Sequence, residues 1–501
     1  MVNDKAKRAG PPSDVLDHLI EVHTKNGTLD NLLDSGIGAV IEDQMDPGDP
    51  GDPGGPTDPE PPAQIAILGG STAAEGWEAW TFDGQTLTPL GDINDGAGSS
   101  FAGRTGFIEY AGSLYFSAYD ASGYELRSYD PATGEVALVA EINGSGSASP
   151  SDFIVYDDTL FFTAYDRASG YELRSYDAQT GVVSLVADIA DGSSSSYPEN
   201  LFAFDGKLFF SAEDPDAGLE LFSYDPVAGV VLHDINQGTG WSAPQGFIEF
   251  DGKMFFSATG DGTGSELHSY DPATGEVSLV ADIYAGNPGS SPQDFVVYDG
   301  KLFFTAYDPA NGSELRYYDP ADGSVSVAAE LISGGGSSYP GNLMVFDEKL
   351  FFTAMDGATG LELRSYDATT NEVALIADIA SGAEGSAPSG LQAHDGKLYF
   401  SATDPDTGRE LYAYDPETGT VDAFDFLEGS DSSNAEVAGV LNGELLVYAS
   451  VDPDGDGVAD SAVFVSEGPI TSVEDFARVD DPSGTFQPMT DPYLFDAGLI
   501  A

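Results

Sequence analysis

"GYELRSYDPATGEVALVAEI" at residues 123–142 returns as "GYELRSYDAQTGVVSLVADI" at 170–189 and as "GSELHSYDPATGEVSLVADI" at 264–283. Self-similarity at a long fixed period marks a chain built by copying one structural unit, and it has to be settled before any motif is interpreted. The glutamate of the shared ELxxYD signature falls at Glu125, Glu172, Glu220, Glu266, Glu314, Glu362 and Glu410, with successive copies 46 to 48 residues apart. A diverged earlier copy, "GWEAWTFDG", places Glu78 another 47 residues upstream of Glu125.

Each unit holds four strand-like runs separated by turn signals. From residue 295, "FVVYDG" ends in Asp299-Gly300 and "KLFFTA" resumes at once, as a tight hairpin needs when both central residues take positive φ. The loop "YDPANGS" leads into "ELRYYD", "PADGS" turns the chain into "VSVAAEL", and a Gly/Ser-rich stretch with Ser337, Ser338 and Pro340 crosses to the next unit. Four short strands in about 47 residues predict an all-β chain folded as a β-propeller, one blade per unit, with neighbouring blades burying each other's apolar faces. A solenoid of the same period is the alternative, and the hairpin turns favour antiparallel meanders.

Eight ELxxYD-type strands, counting the one at Glu78, predict eight four-stranded blades; a degenerate set in "GELLVYAS" (443–450) and "SAVFVSEG" (461–468) makes nine the alternative. The first unit has no opening strand of its own. The pattern of "YLFDAG" at 493–498 matches the opening strand "LFAFDG" at 201–206, so the end of the chain is expected to return and complete the first blade.

The ELxxYD signature, the xADI strand ending and the S-x-P before the next strand resemble the ELWxxDGT-type repeat of large bacterial surface and secreted proteins, and more loosely kelch blades, over roughly residues 64–450. Arg, Phe, His or Tyr mostly replaces the Trp, and YDPxTG replaces the DGT. The resemblance implies a propeller; it implies no single function, because such repeats are scaffolds for many roles.

Residues 1–45 read as a short helical N-terminal segment, with Val15, Leu16, Leu19, Ile20 and Val22 as an apolar stripe behind Ser13 and Asp14. The run "DPGDPGDPGGPTDPEPP" at 46–62 reads as an extended, solvated linker, and the propeller is placed at 63–501.

With 85 acidic and 17 basic side chains the formal net charge of the 501-residue chain is -68. Self-repulsion on that scale calls for salt or divalent cations around the folded chain. Nucleic acid is excluded as a partner by like charge. The absence of cysteine removes disulfides, thiolate chemistry and cysteine-ligated zinc. There is no run long enough to span a membrane and no Sec-type signal segment, so an extracellular or cell-surface location implies a non-Sec route; the alternative is the cytoplasm of a halophile, for which only eight lysines are suggestive.

One loop breaks the repeat. Where other units carry the connection between second and third strands, residues 451–460 read "VDPDGDGVAD". Asp452, Asp454 and Asp456 alternate as the loop curls, Gly457 permits a sharp turn, the carbonyl of Val458 offers another oxygen and Asp460 closes the shell, a donor set suited to a hard cation. An EF-hand is rejected, since its twelfth position would be Val463, which cannot ligate. The string is similar to the calcium loops of integrin-α and FG-GAP blades, and that resemblance implies one Ca2+ site. The other units keep a thinner acidic loop, for example Asp308 with Glu314 and Asp404 with Asp406 and Glu410; these aspartates are read as turn caps and the glutamates as loop holders, with weak cation binding as the alternative.

No catalytic constellation stands out. His18, His23, His233, His268 and His394 sit in unlike contexts, there is no HExxH, nucleophile elbow or P-loop, and carboxylate pairs are too abundant to point anywhere. The leading reading is a non-enzymatic, calcium-associated propeller on a surface or outside the cell, binding a macromolecule or glycan. A propeller-based polysaccharide lyase or hydrolase and an acidic scaffold of a halophile are the alternatives.

Overall fold

The second strand of each repeat is a continuous apolar run, such as "LFFTA" at 160–164, rather than the alternation of a sheet with one wet face. Such a run needs cover on both sides. Leu160, Phe162 and Ala164 pack with Tyr110, Tyr115 and Leu126 of the preceding repeat. Phe161 and Leu173 pack with Leu208, Phe210 and Ala212 of the following one. Alternate side chains of one strand thus feed two different cores.

The computed structural model describes residues 64–72, 76–144, 146–427, 429–452, 459–479 and 487–496. The helical segment expected at 1–45 and the linker expected at 46–62 lie outside the described residues. Nine four-stranded antiparallel sheets make a β-propeller of nine blades. Blade three, for example, comprises Ser151–Tyr156, Thr159–Asp166, Gly170–Asp177 and Val182–Leu185. The first strands of successive blades lie against one another around the axis, and each chain segment then steps outward. The degenerate set is a full ninth blade, Glu436–Leu441, Glu444–Val451, Asp460–Ser466 and Phe476–Arg478, which decides between the eight and nine blades allowed by the sequence. Nine apolar clusters sit at the nine interfaces between neighbouring blades.

Gln487–Asp496 is the innermost strand of blade one, paired antiparallel to Gln64–Thr72 with Gln64 opposite Asp496 and Ile67 opposite Tyr493. The first and last blades then share a core of Ala66, Leu68, Trp80 and Phe82 with Leu441, Leu446 and Val463. Reciprocal hydrogen bonds support this join: the Gln64 N–H donates to Asn442 Oδ1 at 2.6 Å, and the Asn442 N–H donates to Gln64 Oε1 at 3.1 Å.

The Asp-Gly turns behave as their chemistry requires, with φ of +47° at Asp299 and +67° at Gly300. They share one side of the ring with the third-to-fourth-strand turns. The second-to-third-strand loops and the crossings between blades occupy the other side, called here the crossing face.

No helix among the described residues is long and apolar enough to cross a membrane.

Candidate functional site

The signature glutamates do structural work on the crossing face. Glu78, Glu125, Glu172, Glu220, Glu266, Glu314, Glu362 and Glu410 are all at most 1% exposed. Glu172 shows the pattern: its two carboxylate oxygens accept from the N–H groups of Ile189 (3.2 Å), Ala190 (3.2 Å) and Ser196 (3.1 Å) and from the Ser196 hydroxyl (2.5 Å). The Ser196 carbonyl in turn accepts from the Glu213 N–H in the next blade at 2.6 Å. Each glutamate is therefore a latch from its own third strand, through the crossing, to the second strand of its neighbour. Ser100, Ser290, Ser338, Ser386 and Ser433 take the hydroxyl role in other blades; in blade four the Ser242 N–H donates to Glu220 at 3.1 Å while its hydroxyl donates to the Leu219 carbonyl, and blade two has Ala148 instead.

The glycine two residues before each latch is equally constrained. Gly170 has φ +72°, and a Cβ there would lie 1.8 Å from the Ser194 carbonyl oxygen. Burial pushes all eight latch carboxyls above their ordinary range and outweighs the hydrogen bonds that pull them down, carrying Glu78 and Glu125 up to about 7.

The aspartates of the thinner acidic loops cap their turns, as expected. Asp166, Asp214, Asp308, Asp356 and Asp404 each accept an N–H from two residues on. Unforeseen from the sequence, several are also neutralised from within. Arg174, Arg316 and Arg364 lie buried at the signature position occupied by Trp in ELWxxDGT repeats, and pair with Asp166 (3.7 Å), Asp308 and Asp356 (2.6 Å); Arg127 does the same with Asp120. The sequence signal was an arginine seven or eight residues after the loop aspartate, but it has meaning only once the hairpin register is known.

Lys253 and Lys301, which follow hairpin turns, reach Asp271 (3.0 Å) and Asp319 (3.3 Å), and the Lys301 ammonium sits 4.3 Å from the Tyr317 ring centre.

Of the residues expected to hold a cation, Asp452 and Asp460 stand at the two feet of the ninth-blade hairpin, whose strands pair through Val451 and Asp460. Asp454, Asp456 and Val458 lie outside the described residues. The connection between the feet spans residues 452–459, where blade three uses only 167–169. The two feet belong to the second and third strands of the blade, Glu444–Val451 and Asp460–Ser466.

The sequence reading missed a set of aromatic side chains on the crossing face. The residue after each crossing serine, or after Ala148 in blade two, adopts left-handed backbone: Phe101, Ser149, Tyr197, Ala243, Ser291, Tyr339, Ala387 and Asn434, with φ from +44° to +50°. Bulky residues are uncommon there. Five of the eight crossings use a small or polar residue, yet three carry an exposed aromatic side chain: Tyr339 is 60% and Tyr197 50% exposed, and Phe101 37%. Trp241, immediately before the crossing serine Ser242, is 58% exposed. Two of the rings are braced, Phe101 stacking on Trp77 at 5.8 Å and Tyr197 on Tyr171 at 5.4 Å. These residues span the crossings from blade one to blade seven. The hint in the sequence was "SYP" at 196–198 and 338–340, against "SAP" at 242–244 and 386–388 and "SSP" at 290–292.

No family model matches the chain, and no curated protein matches it. Among solved structures it is similar to a dihydro-heme d1 dehydrogenase, NirN (12% identity over 88% of this chain and 77% of that one, TM-score 0.43), to a prolyl endopeptidase (13%, 73% and 54%, TM-score 0.39) and to TolB from Acinetobacter baumannii (14%, 52% and 62%, TM-score 0.28). The chain spans about half the length of the prolyl endopeptidase it matches.

Proposed function

We propose that this protein is a non-catalytic binding propeller, a variant of the ELWxxDGT-type surface repeat, that holds a neutral glycan on its crossing face. The observation that carries the reading is the set of exposed rings of Phe101, Tyr197, Trp241 and Tyr339, three of them on left-handed backbone where small residues serve elsewhere. Exposed aromatics, three on strained backbone and two braced by a neighbouring ring, are the kind of feature retained for recognition rather than for folding. Sugar rings present apolar faces to such side chains, and the neighbouring serines and aspartates supply hydrogen bonds; a polyanionic glycan would meet like charge. In affinity electrophoresis through a panel of neutral polysaccharides, the intact chain is expected to be retarded by at least one. Tyr197→Ala with Tyr339→Ala should weaken that retardation at least tenfold at an unchanged melting temperature. Retardation that survives the double substitution, or is absent throughout the panel, would remove the glycan reading and leave a protein partner.

Calcium belongs to the same proposal. Asp452, Asp454, Asp456, the Val458 carbonyl and Asp460 would hold one Ca2+, supported by their spacing and by the two acidic feet of the hairpin. The ion would supply fixed positive charge where carboxylates converge. A ligand bound only by the folded chain must stabilise it. In low salt, calcium is expected to raise the melting temperature above that with chelator, and Asp454→Ala with Asp456→Ala should lose the rise. Stability recovered by monovalent salt alone, with no calcium effect, would instead favour the acidic scaffold of a halophile, in keeping with the charge of -68. A surface or extracellular setting fits the calcium reading.

A further inference from the structure

Blade five departs from the repeat at two linked positions. Where blades two, three, six and seven pair a buried arginine with the loop aspartate, blade five has His268 in place of the arginine and Gly260 in place of the aspartate. Blades four and eight fill the arginine position with the rings of Phe222 and Tyr412. An imidazole is shorter than a guanidinium, and glycine brings no carboxylate. Between blades four and five there is accordingly a cavity of about 420 Å³, lined in part by His233, Asp234, Asp261, Thr263, His268 and Glu276. That is within the usual range for small-molecule sites.

His268 is 3% exposed. Its Nδ1 lies 3.0 Å from the Glu266 carbonyl oxygen, which can only accept, so Nδ1 carries the proton of the neutral ring and Nε2 keeps a lone pair. Burial holds this imidazole below its ordinary range and therefore neutral. Nε2 has no hydrogen-bond partner among the described residues and lies 3.3 Å from where a Cβ on Gly260 would stand, on the cavity wall. His233 is engaged by the Ser223 hydroxyl at 2.9 Å, so its outward role is limited. Neither lysine nor arginine is among the lining residues, and three carboxylates, Asp234, Asp261 and Glu276, are. An acceptor that opens onto the cavity without a protein donor, among carboxylates and where other blades hold a guanidinium, suits a guanidinium.

We propose that this cavity binds a small guanidino compound, its N–H groups donating to His268 Nε2 and its charge compensated by Asp234 and Asp261, so that the ligand supplies what an arginine side chain supplies in four other blades. This site is separate from the aromatic face and does not depend on the glycan reading.

Agmatine is a suitable probe, titrated into the intact chain by calorimetry in 0.15 M salt to suppress diffuse attraction to the acidic surface, about a Debye length of 8 Å. Gly260→Asp with His268→Arg rebuilds the pair found in the other blades. Gly260 lacks positive φ, and the nearest atoms to a new Cβ are the Thr263 side chain and the imidazole being replaced. The double variant is expected to fold, to melt no lower than the parent, and to bind agmatine at least tenfold more weakly. His268→Phe, the residue type of blade four, should lose binding to the same extent and covers a failure of the first variant to fold. Binding in the parent should also shift the Nε2 nitrogen resonance of His268. Equal affinity in parent and variants, or no saturable binding by the parent, would overturn the proposal.

Discussion

Removal of residues 487–501 is expected to lower the melting temperature by about 10 °C or more and to increase self-association relative to the intact chain. The deleted strand supplies the innermost member of blade one, registered with Gln64–Thr72 at seven positions. If the pairing makes about six hydrogen bonds worth roughly 1 kcal/mol each, its loss costs about 6 kcal/mol before any apolar surface is counted. A kilocalorie moves the midpoint of a domain of 150–250 residues by about 2–4 °C, and somewhat less in a larger ring. Ala66, Ile67 and Leu68, which are at most 1% exposed, would then sit on an open sheet edge, the geometry that recruits other chains. Size-exclusion chromatography and a thermal melt of the truncated chain check this, and a synthetic peptide of residues 487–501 added in trans should restore part of the loss. An unchanged midpoint and an elution position matching the intact chain would mean that the ring holds without its closing strand.

Cutting a single latch should cost nearly as much. Glu172→Ala removes the acceptor from the N–H groups of Ile189 and Ala190 and from the Ser196 hydroxyl; the Ser196 N–H keeps a second acceptor in the Tyr171 carbonyl at 3.0 Å. Three buried donors left without partners, at about 1–3 kcal/mol each and with some relief from entering water, predict a loss of about 3–5 kcal/mol. Glu172→Gln should be milder, because the amide oxygen can serve one side and the Ser196 hydroxyl can turn to accept from the new NH2 on the other. Denaturant unfolding of the two variants gives the comparison. Equal, small losses for both would show that the buried carboxylate is not what fastens the crossing.

The architecture could be read from the chain because copies repeat whole sets of local signals: the Asp-Gly turns, the doubly buried second strand and the glutamate followed 22 to 24 residues later by a serine. The number of blades could not, for a physical reason. In the ninth blade the latch position is Ala462 and the loop ahead of it is long, so the signature is lost while Leu445, Leu446 and Val463 still build the same core. The closing strand was visible as a pattern at 493–498, two-thirds of which falls inside the observed pairing. Site features were harder. That Arg316 neutralises Asp308 depends on a hairpin that brings together residues eight apart, and that Tyr197 and Tyr339 face water depends on a left-handed turn which the neighbouring repeats make with serine or alanine. The vacancy beside His268 was readable only as a histidine out of pattern; its meaning required the arginines of the other blades to be seen in place.

The buried glutamates also bear on the exchange of protons with the solvent. In the unfolded chain a glutamate titrates near 4.5, whereas in the ring Glu78 and Glu125 hold their protons up to about 7 and six more are displaced in the same direction. Folding at neutral pH therefore takes protons up, and the native ring is less negative than a count of its side chains gives. By linkage the contribution of these groups is complete below the ordinary carboxyl range and fades as the pH climbs towards 7 and beyond. Mild acid, which discharges the surface, favours these buried sites as well.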